Sequence, residues 1–233
     1  MKIHYLSDLH LEFGKMPKNY RVPAGTDVVV LAGDIGVGLA GLHWALLAFD
    51  CPVVYVAGNH EHYGHRTMEK LLDKARAKVA GTHVHFLEND AIEIEDVRFI
   101  GTTMWTNFRV LEHIKQELAM NFVWKRMTDY FEITLDRRPA EGGMHPGKHG
   151  WQVTPRKILE LHCDALDFLG GEIAKRQPNQ SMVIVTHHAP SERSLRYGTA
   201  TEVIDTAYVS RLDALVETSG AALWIHGHGC RND

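Results

Sequence analysis

The stretch Val28–Asp34 is an apolar run that ends in a glycine and a carboxylate, and it constrains the fold more than any other feature. Its length and its β-branched residues favour a strand over a helix, and its lack of polar positions indicates a strand buried on both faces. A carboxylate just past the end of a buried strand is costly unless another group pairs with it. An aspartate that merely opens a turn would explain this one residue, but the same arrangement recurs along the chain.

Four other runs are also predicted as strands followed by polar groups: Ile3–Leu6, Pro52–Ala57, Ser181–Thr186 and Ala222–Ile225. Because helical patterns lie between several of these strands, the sequence predicts an α/β domain with a largely parallel central sheet. The carboxyl ends of parallel strands meet at one edge of a sheet, so the polar groups that follow them are expected in one crevice. These groups are Asp8, His10, Asp34, Asn59, His60, His187 and His228.

The other elements are predicted from residue spacing and from turn residues. Helical spacing of apolar residues and helix stop signals predict helices at Leu39–Phe49, Thr67–Ala80, Thr154 to about Arg176, and Tyr208–Thr218. Gly170-Gly171 marks a point at which the third of these helices could break. Antiparallel strands at the edge of a second sheet are predicted at Val84–Leu87, Ala91–Ile94 and Arg98–Gly101. No repeat or linker divides the chain, so residues 1–233 are predicted as a single domain.

Composition excludes several classes of protein. The net charge is −4 with neutral histidines, so the chain has no electrostatic footprint for nucleic acid. Its three cysteines, Cys51, Cys163 and Cys230, lack the paired spacing of a disulfide framework or a CxxC zinc site. No apolar run approaches the length of a membrane span, and the N-terminus lacks the apolar core of a signal peptide. We therefore expect a cytoplasmic protein without a membrane partner.

The polar groups at the strand ends have the chemistry of a metal centre. Carboxylates, imidazoles and an amide oxygen together suit divalent Mn, Fe, Zn, Co or Ni better than Ca or Mg. The set is too large for one tetrahedral site, and two ions that share Asp34 as a bridging ligand fit its size. Two ions about 3.5–4 Å apart suit in-line displacement at phosphorus, because they hold a hydroxide nucleophile and neutralise the phosphoryl oxygens. The sequence thus predicts a metal-dependent phosphoesterase that hydrolyses a small phosphomonoester or phosphodiester, with Mn as the favoured metal.

Five short motifs, taken in order, resemble those of calcineurin-like metallophosphoesterases: Asp8-x-His10, Gly33-Asp34, Gly58-Asn59-His60-Glu61, His187-His188 and Gly227-His228. The resemblance covers nearly the whole chain. It implies the αββα fold of that family, in which a two-sheet sandwich is flanked by helices, and it implies a dinuclear centre. It also implies that Asp8, His10 and Asp34 hold the first metal and that Asp34, Asn59, His187 and His228 hold the second. His60 matches an outer histidine of the family that contacts the phosphate and protonates the leaving oxygen.

The C-terminal segment departs from the family pattern. The family usually closes with Gly-His-x-His and continues into further strands, whereas here Cys230 occupies the second histidine position and the sequence stops at Asp233. Three interpretations of Cys230 stay open. It binds the first metal as a thiolate, which favours softer ions such as Zn; the first site is depleted, because a ligand near a free end is poorly held; or the thiol is unused.

These departures leave a second function open. A depleted first site would suit a non-catalytic metal-binding scaffold on the same fold. Missing final strands would leave a sheet edge unpaired, which favours an oligomer. The sequence does not separate a monoester from a cyclic nucleotide or another diester as substrate. The segments expected to determine that choice are the loop or lid Arg137–Gly150 and the loop Arg193–Tyr197.

Overall fold

The computed structural model describes residues 1–14, 20–64, 66–140, 146–147, 149–177 and 179–228. The strands are β1 (Ile3–Leu6), β2 (Val28–Ala32), β3 (Val53–Val56), β4 (Val84–Leu87), β5 (Asp90–Ile94), β6 (Val97–Thr102), β7 (Thr134–Leu135), β8 (Pro146–Gly147), β9 (Gly150–Gln152), β10 (Ser181–Thr186) and β11 (Leu223–Ile225). The α-helices are α1 (Ala40–Ala48), α2 (Met68–Val79), α3 (Gln116–Trp124), α4 (Asp129–Glu132), α5 (Pro155–Ala174) and α6 (Asp213–Thr218). Short 3₁₀ helices lie at His60–His62, Glu192–Ser194 and Val203–Ala207.

Two four-stranded sheets form the centre of the fold. The first has the order β1-β2-β3-β4 and is parallel throughout. The second has the order β11-β10-β6-β5, in which only β5 runs antiparallel to its neighbour. A small antiparallel sheet, β7-β9-β8, lies apart from these two. The expected parallel strands are therefore present, but they are shared between two sheets.

The side chains of β2 point alternately into two cores, because successive residues of a strand face opposite sides of the sheet. On one face, Leu31 packs with Leu42 of α1 and Ala75 of α2. On the other face, Val30 packs with Phe99 of β6 in the second sheet. Burial on both faces explains why β2 contains only apolar residues.

The outer face of the second sheet is covered by α5. Leu169 of this helix packs with Ile100 of β6 and Ile184 of β10. The layers are thus helix, sheet, sheet and helix, which is the αββα arrangement that the resemblance implies. Among the described helices, none is both long and apolar enough to cross a bilayer.

Two predictions about local structure were wrong. Val84–Leu87 is not part of an antiparallel block: β4 pairs in parallel with β3, and α2 forms the crossover between them. The antiparallel prediction holds only for β5 and β6, and β6 lies inside the second sheet rather than at its edge. The predicted helix Tyr208–Thr218 is reduced to α6, because Val209 forms a bridge with Ala189 and the amide of Leu212 donates to the carbonyl of Pro190 (2.8 Å).

One other helix and one predicted loop also differ from their predicted form. α5 continues through Gly170 and Gly171 without a break. Its N-terminus has the expected cap, in which Thr154 Oγ1 accepts a hydrogen bond from the amide of Lys157 (3.2 Å). The segment Arg137–Gly150 contains β8 and the start of β9, and its residues 141–145 and 148 lie outside the described part of the chain.

Candidate metal centre

The segments that follow β1 and β2 stay paired beyond the ends of these strands. The amide of Asp8 donates to the carbonyl of Gly33 and the amide of His10 donates to the carbonyl of Asp34, each at 3.0 Å. This pairing places Asp8 and His10 directly beside Asp34. Asp8, His10, Asp34 and His228 all have positive φ values, between 47° and 54°. Such backbone conformations are uncommon outside glycine, and they cluster at functional sites.

Asp34 lies at the centre of the predicted group. Its Oδ2 atom is surrounded by imidazole nitrogens: Nε2 of His187 at 3.4 Å, Nε2 of His10 at 3.9 Å, Nε2 of His60 at 4.0 Å and Nδ1 of His228 at 4.0 Å. Its Oδ1 atom accepts a hydrogen bond from the backbone amide of His60 (2.8 Å). Donor atoms of Asp8, Asp34, His187 and His228 all lie within 4.8 Å of one another. The sequence-predicted residues therefore meet around one carboxylate.

A second group of donor atoms adjoins the first. Glu12 Oε1 lies 2.8 Å from Nδ1 of His60 and 3.2 Å from Nδ1 of His10. The two imidazole rings are in edge contact, with centroids 4.4 Å apart. Sequence reasoning missed Glu12, although it continues the alternation of polar groups that begins with Asp8 and His10. That alternation is the signal that could have found it.

Asn59 is held in one orientation by a buried acid on α4. Its Nδ2 donates to Asp129 Oδ1 (2.9 Å), and its Oδ1 lies 3.2 Å from Nε2 of His187. The hydroxyl of Tyr63 also donates to Asp129, and the ring of Tyr63 stacks on His60 with centroids 4.4 Å apart. Asp129 was missed as well, since no motif surrounds it. Its position makes the amide oxygen of Asn59 the end that faces the centre.

The glycines of the motifs allow these segments to approach closely. A Cβ atom on Gly33 would overlap with the ring of His187, and one on Gly58 would overlap with the carboxylate of Asp34. A Cβ atom on Gly227 would lie 2.6 Å from Asp8 Oδ2. Each glycine thus makes room for a predicted ligand that belongs to another segment.

Glu61 binds together the two loops beside Asp34. Its buried carboxylate accepts hydrogen bonds from the amides of Asp34 (2.9 Å), Ile35 (2.9 Å) and Gly58 (2.7 Å), and from the hydroxyl of Tyr55 (2.8 Å). All of these partners are donors, so the ionised carboxylate satisfies them without a competing proton. Glu61 therefore shapes the site, and its carboxylate oxygens are fully engaged in doing so.

The charge states of Asp34 and His228 suit a cation, whereas His187 has to lose a proton when it binds one. Burial raises the pKa of the Asp34 carboxyl, but the adjoining His187, His228 and His60 together outweigh burial and hold this pKa well below its usual range. Burial lowers the pKa of His187, but Asp34 outweighs it and raises the pKa to about 10. Burial, followed by the neighbouring His187, lowers the pKa of His228 to about 3, so its imidazole is neutral. A neutral imidazole beside an ionised carboxylate is the form in which both bind metals.

A further observation indicates that this set of donor atoms fits divalent metal ions. Nε2 of His228 is buried and has no hydrogen-bond partner among the described residues. A buried nitrogen without a hydrogen-bond partner costs free energy of folding unless the imidazole binds a ligand. Cys230 lies outside the described residues, so its three interpretations stay open.

Comparison with known proteins assigns the family. A model of the calcineurin-like phosphoesterase family matches residues 1–232. The chain belongs to the calcineurin-like phosphoesterases. It is 23% identical over 256 residues to uncharacterized protein L509 of Acanthamoeba polyphaga mimivirus, a match that spans 97% of this chain and 83% of the viral protein.

A solved structure supports the fold of a calcineurin-like phosphoesterase. The phosphopantetheinyl hydrolase PptH of Mycobacterium tuberculosis superposes with a TM-score of 0.73 at 15% identity, over 98% of this chain and 82% of that one. The predicted family and the predicted αββα fold are therefore confirmed. In the present chain, a cleft of about 570 Å³ opens beside the candidate metal centre, and Asn59, His60 and His228 line one part of it.

Proposed function

We propose that this protein is a metal-dependent hydrolase of phosphomonoesters or phosphodiesters and that its centre holds two divalent transition-metal ions. The convergence of Asp8, Asp34, His187 and His228, whose donor atoms lie within 4.8 Å of one another, is the observation that carries this proposal. Membership of the calcineurin-like phosphoesterases gives the same class of reaction. Manganese is the favoured ion, because carboxylate, imidazole and amide ligands together suit it.

The ligands divide into two sets that share Asp34. Asp8, His10 and Asp34 would hold the first ion, and Asp34, Asn59, His187 and His228 would hold the second. The position of Asp34 Oδ2 supports this division, because His10 lies 3.9 Å from it and His187 lies 3.4 Å from it. Bound divalent ions would supply Lewis acidity and an activated water for attack at phosphorus.

His60 is the proposed general acid. Its Nδ1 lies 2.8 Å from Glu12 Oε1, and its Nε2 lies 4.0 Å from Asp34 Oδ2. The contact with the Glu12 carboxylate orients the ring so that Nε2, rather than Nδ1, is the nitrogen that would give a proton to the leaving oxygen of a substrate in the cleft. When the P–O bond breaks, the proton of Nε2 passes to that oxygen. Stacking against Tyr63 fixes the plane of the ring during this transfer.

Metal reconstitution tests the proposal. The purified protein is stripped of metal, reloaded separately with Mn, Fe, Zn, Co or Ni, and assayed with p-nitrophenyl phosphate and bis-p-nitrophenyl phosphate. A third substrate is a phosphopantetheinyl ester, the group in the name of PptH. We expect turnover with manganese that chelation abolishes and re-addition restores.

The same assay distinguishes the non-catalytic alternative. Bound metal without turnover of any phosphoester would favour the scaffold and contradict the hydrolase. The variant Cys230→His addresses the first site directly. If that site is depleted in the native protein, metal per chain and turnover both rise in the variant; if neither rises, depletion is excluded.

A further inference from the structure

The cleft beside the candidate centre is larger than a phosphoryl group requires. Its volume is about 570 Å³, within the usual size range of small-molecule sites. Asn59, His60 and His228 line the part next to the centre, whereas the turn after α3 and the 3₁₀ helix Val203–Ala207 line another part. A phosphate bound at the centre leaves most of this volume to the rest of the substrate.

A cation with no carboxylate partner lines the α3 side of the cleft. Arg126 lies in the turn after α3, where its amide donates to the carbonyl of Val123 (3.0 Å). Its guanidinium carbon lies 3.8 Å from the centroid of the Phe122 ring, and its Nη1 donates a long hydrogen bond to the Phe122 carbonyl (3.5 Å). Within the described part of the chain, no carboxylate comes within ion-pair distance of it. A guanidinium stacked on a ring keeps its in-plane N–H groups available for an anion.

The carboxylates on the cleft already have hydrogen-bond donors of their own. Asp129 is buried and accepts from Asn59 and Tyr63. Glu202 begins the 3₁₀ helix and accepts from the backbone amide of Asp205 in a capping box. Among the contacts of the described residues, neither acid forms an ion pair with Arg126.

The remaining wall between these polar groups is partly apolar. Phe122, Met127 and Ile204 line it; Met127 belongs to a buried cluster around α3, and the other two are partly buried and pack against that cluster. Such a wall suits the carbon skeleton of a leaving group. An apolar wall with one unpaired guanidinium beside it suits a molecule that carries a second negative charge.

We propose that the α3 side of the cleft is a subsite for a second anionic group on the leaving-group part of the substrate, with Arg126 as the residue that binds it. The substrate class is then a phosphoester whose scissile phosphate is joined through a short carbon linker to another phosphate or a carboxylate. This inference rests on the proposed phosphoesterase function. It adds to that function a second anionic group as the property that distinguishes preferred substrates from generic aryl phosphates.

A paired substrate series tests the subsite. Straight-chain α,ω-alkanediol bisphosphates of increasing length are compared with ω-hydroxyalkyl monophosphates of the same lengths, in the metal-loaded protein. At the best length we expect kcat/KM to favour the bisphosphate about tenfold or more, the value of a charge-assisted hydrogen bond. In Arg126→Gln this ratio falls to about one, and Arg126→Lys keeps part of it because the charge remains without the bidentate fork. Lys125→Gln, the neighbouring exposed cation outside the cleft, keeps the full ratio.

Binding measurements separate failure of the subsite from failure of the proposed function. The dissociation constants of both ligand series are measured by calorimetry for the native protein and for Arg126→Gln. If no phosphoester is turned over but bisphosphates still bind more tightly and lose that advantage in Arg126→Gln, the subsite stands and the hydrolase does not. Equal use and equal binding of the two series by the native protein overturn the subsite, as does an advantage that survives in Arg126→Gln.

Discussion

The amide nitrogen of Asn59 donates a hydrogen bond to Asp129 at 2.9 Å, and this bond determines which end of the amide faces the candidate centre. The oxygen and the nitrogen of a side-chain amide occupy nearly equivalent positions, so the group can be turned over. The oxygen therefore faces a metal reliably only if the nitrogen has its own hydrogen-bond acceptor. The two residues are 70 positions apart in the chain. Groups that orient a ligand in this way often matter to metal affinity almost as much as the ligand itself.

Replacement of Asp129 should therefore weaken metal binding without removing a ligand. In Asp129→Ala, we expect the dissociation constant of manganese to rise about tenfold to a hundredfold, measured by calorimetry. Glu132→Gln, an exposed position on the same helix, is the matched control and should bind manganese normally. In the exchange Asn59→Asp with Asp129→Asn, the new amide donates to the new carboxylate, so affinity should return in part. Native affinity in Asp129→Ala would contradict this role.

Glu61 should contribute strongly to stability. In Glu61→Gln, an NH₂ group faces amides that are themselves donors, so we expect the free energy of unfolding to fall by about 3 kcal/mol. Urea unfolding in the presence of a chelator measures this loss separately from any loss of metal. Glu217→Gln, at an exposed position on α6, should change the value by less than about 0.5 kcal/mol. A Glu61→Gln protein as stable as this control would show that the four donors have other partners.

The glycine contact at Gly58 should affect the site through Asp34. A methyl group in Gly58→Ala overlaps with the Asp34 carboxylate, so we expect metal-dependent turnover to fall at least about tenfold as that carboxylate is displaced. Gly171→Ala, inside α5 with no atom near its added Cβ, should instead raise the free energy of unfolding by about 0.5–1 kcal/mol. Assays of turnover and unfolding on both variants distinguish a local clash from a general effect of alanine. Unchanged turnover in Gly58→Ala would show that the close approach of Gly58 to the Asp34 carboxylate does not matter to the centre.

His60 should matter most for substrates with poor leaving groups. If it protonates the leaving oxygen, His60→Asn should slow alkyl phosphates by about 10²–10⁴-fold and p-nitrophenyl phosphate much less. Glu12→Gln should change the rates in the same direction by a smaller factor, because it weakens the support of the ring. The measurement is the dependence of log kcat/KM on leaving-group pKa. A slope in His60→Asn equal to that of the native protein would exclude the general-acid role.

Much of the fold could be predicted from the sequence because buried strands have a simple signature. β2 and β3 are fully buried along their length, and each is followed within two residues by a glycine and then a polar group. The sequence pattern places β4 in the wrong sheet because Asn89-Asp90 looks like a hairpin turn. The helix α2 before β4 instead indicates a crossover that joins β4 to β3 in parallel. The segment 208–212 has helical spacing, but its backbone bonds to the loop after β10 instead.

The predicted site residues were recognisable because each follows a strand, whereas their supporting residues were not. Asp129 supports Asn59 from a four-residue helix, and its role depends on a contact 70 positions away in the chain. Arg126 has the sequence context of an ordinary solvated arginine, and only the cleft and the Phe122 ring distinguish it. Local patterns predict positions along elements, but contacts between distant elements require the packed structure.

Elemental analysis of Asp34→Asn beside the native protein tests whether one carboxylate serves both metal sites. Both proteins are loaded with manganese, freed of excess ion by gel filtration, and measured for metal per chain and for hydrolysis of p-nitrophenyl phosphate. We predict two ions per chain and turnover in the native protein, and loss of both in Asp34→Asn, because the proposed bridging carboxylate belongs to both sites. Native stoichiometry and manganese-dependent turnover in Asp34→Asn would contradict the account.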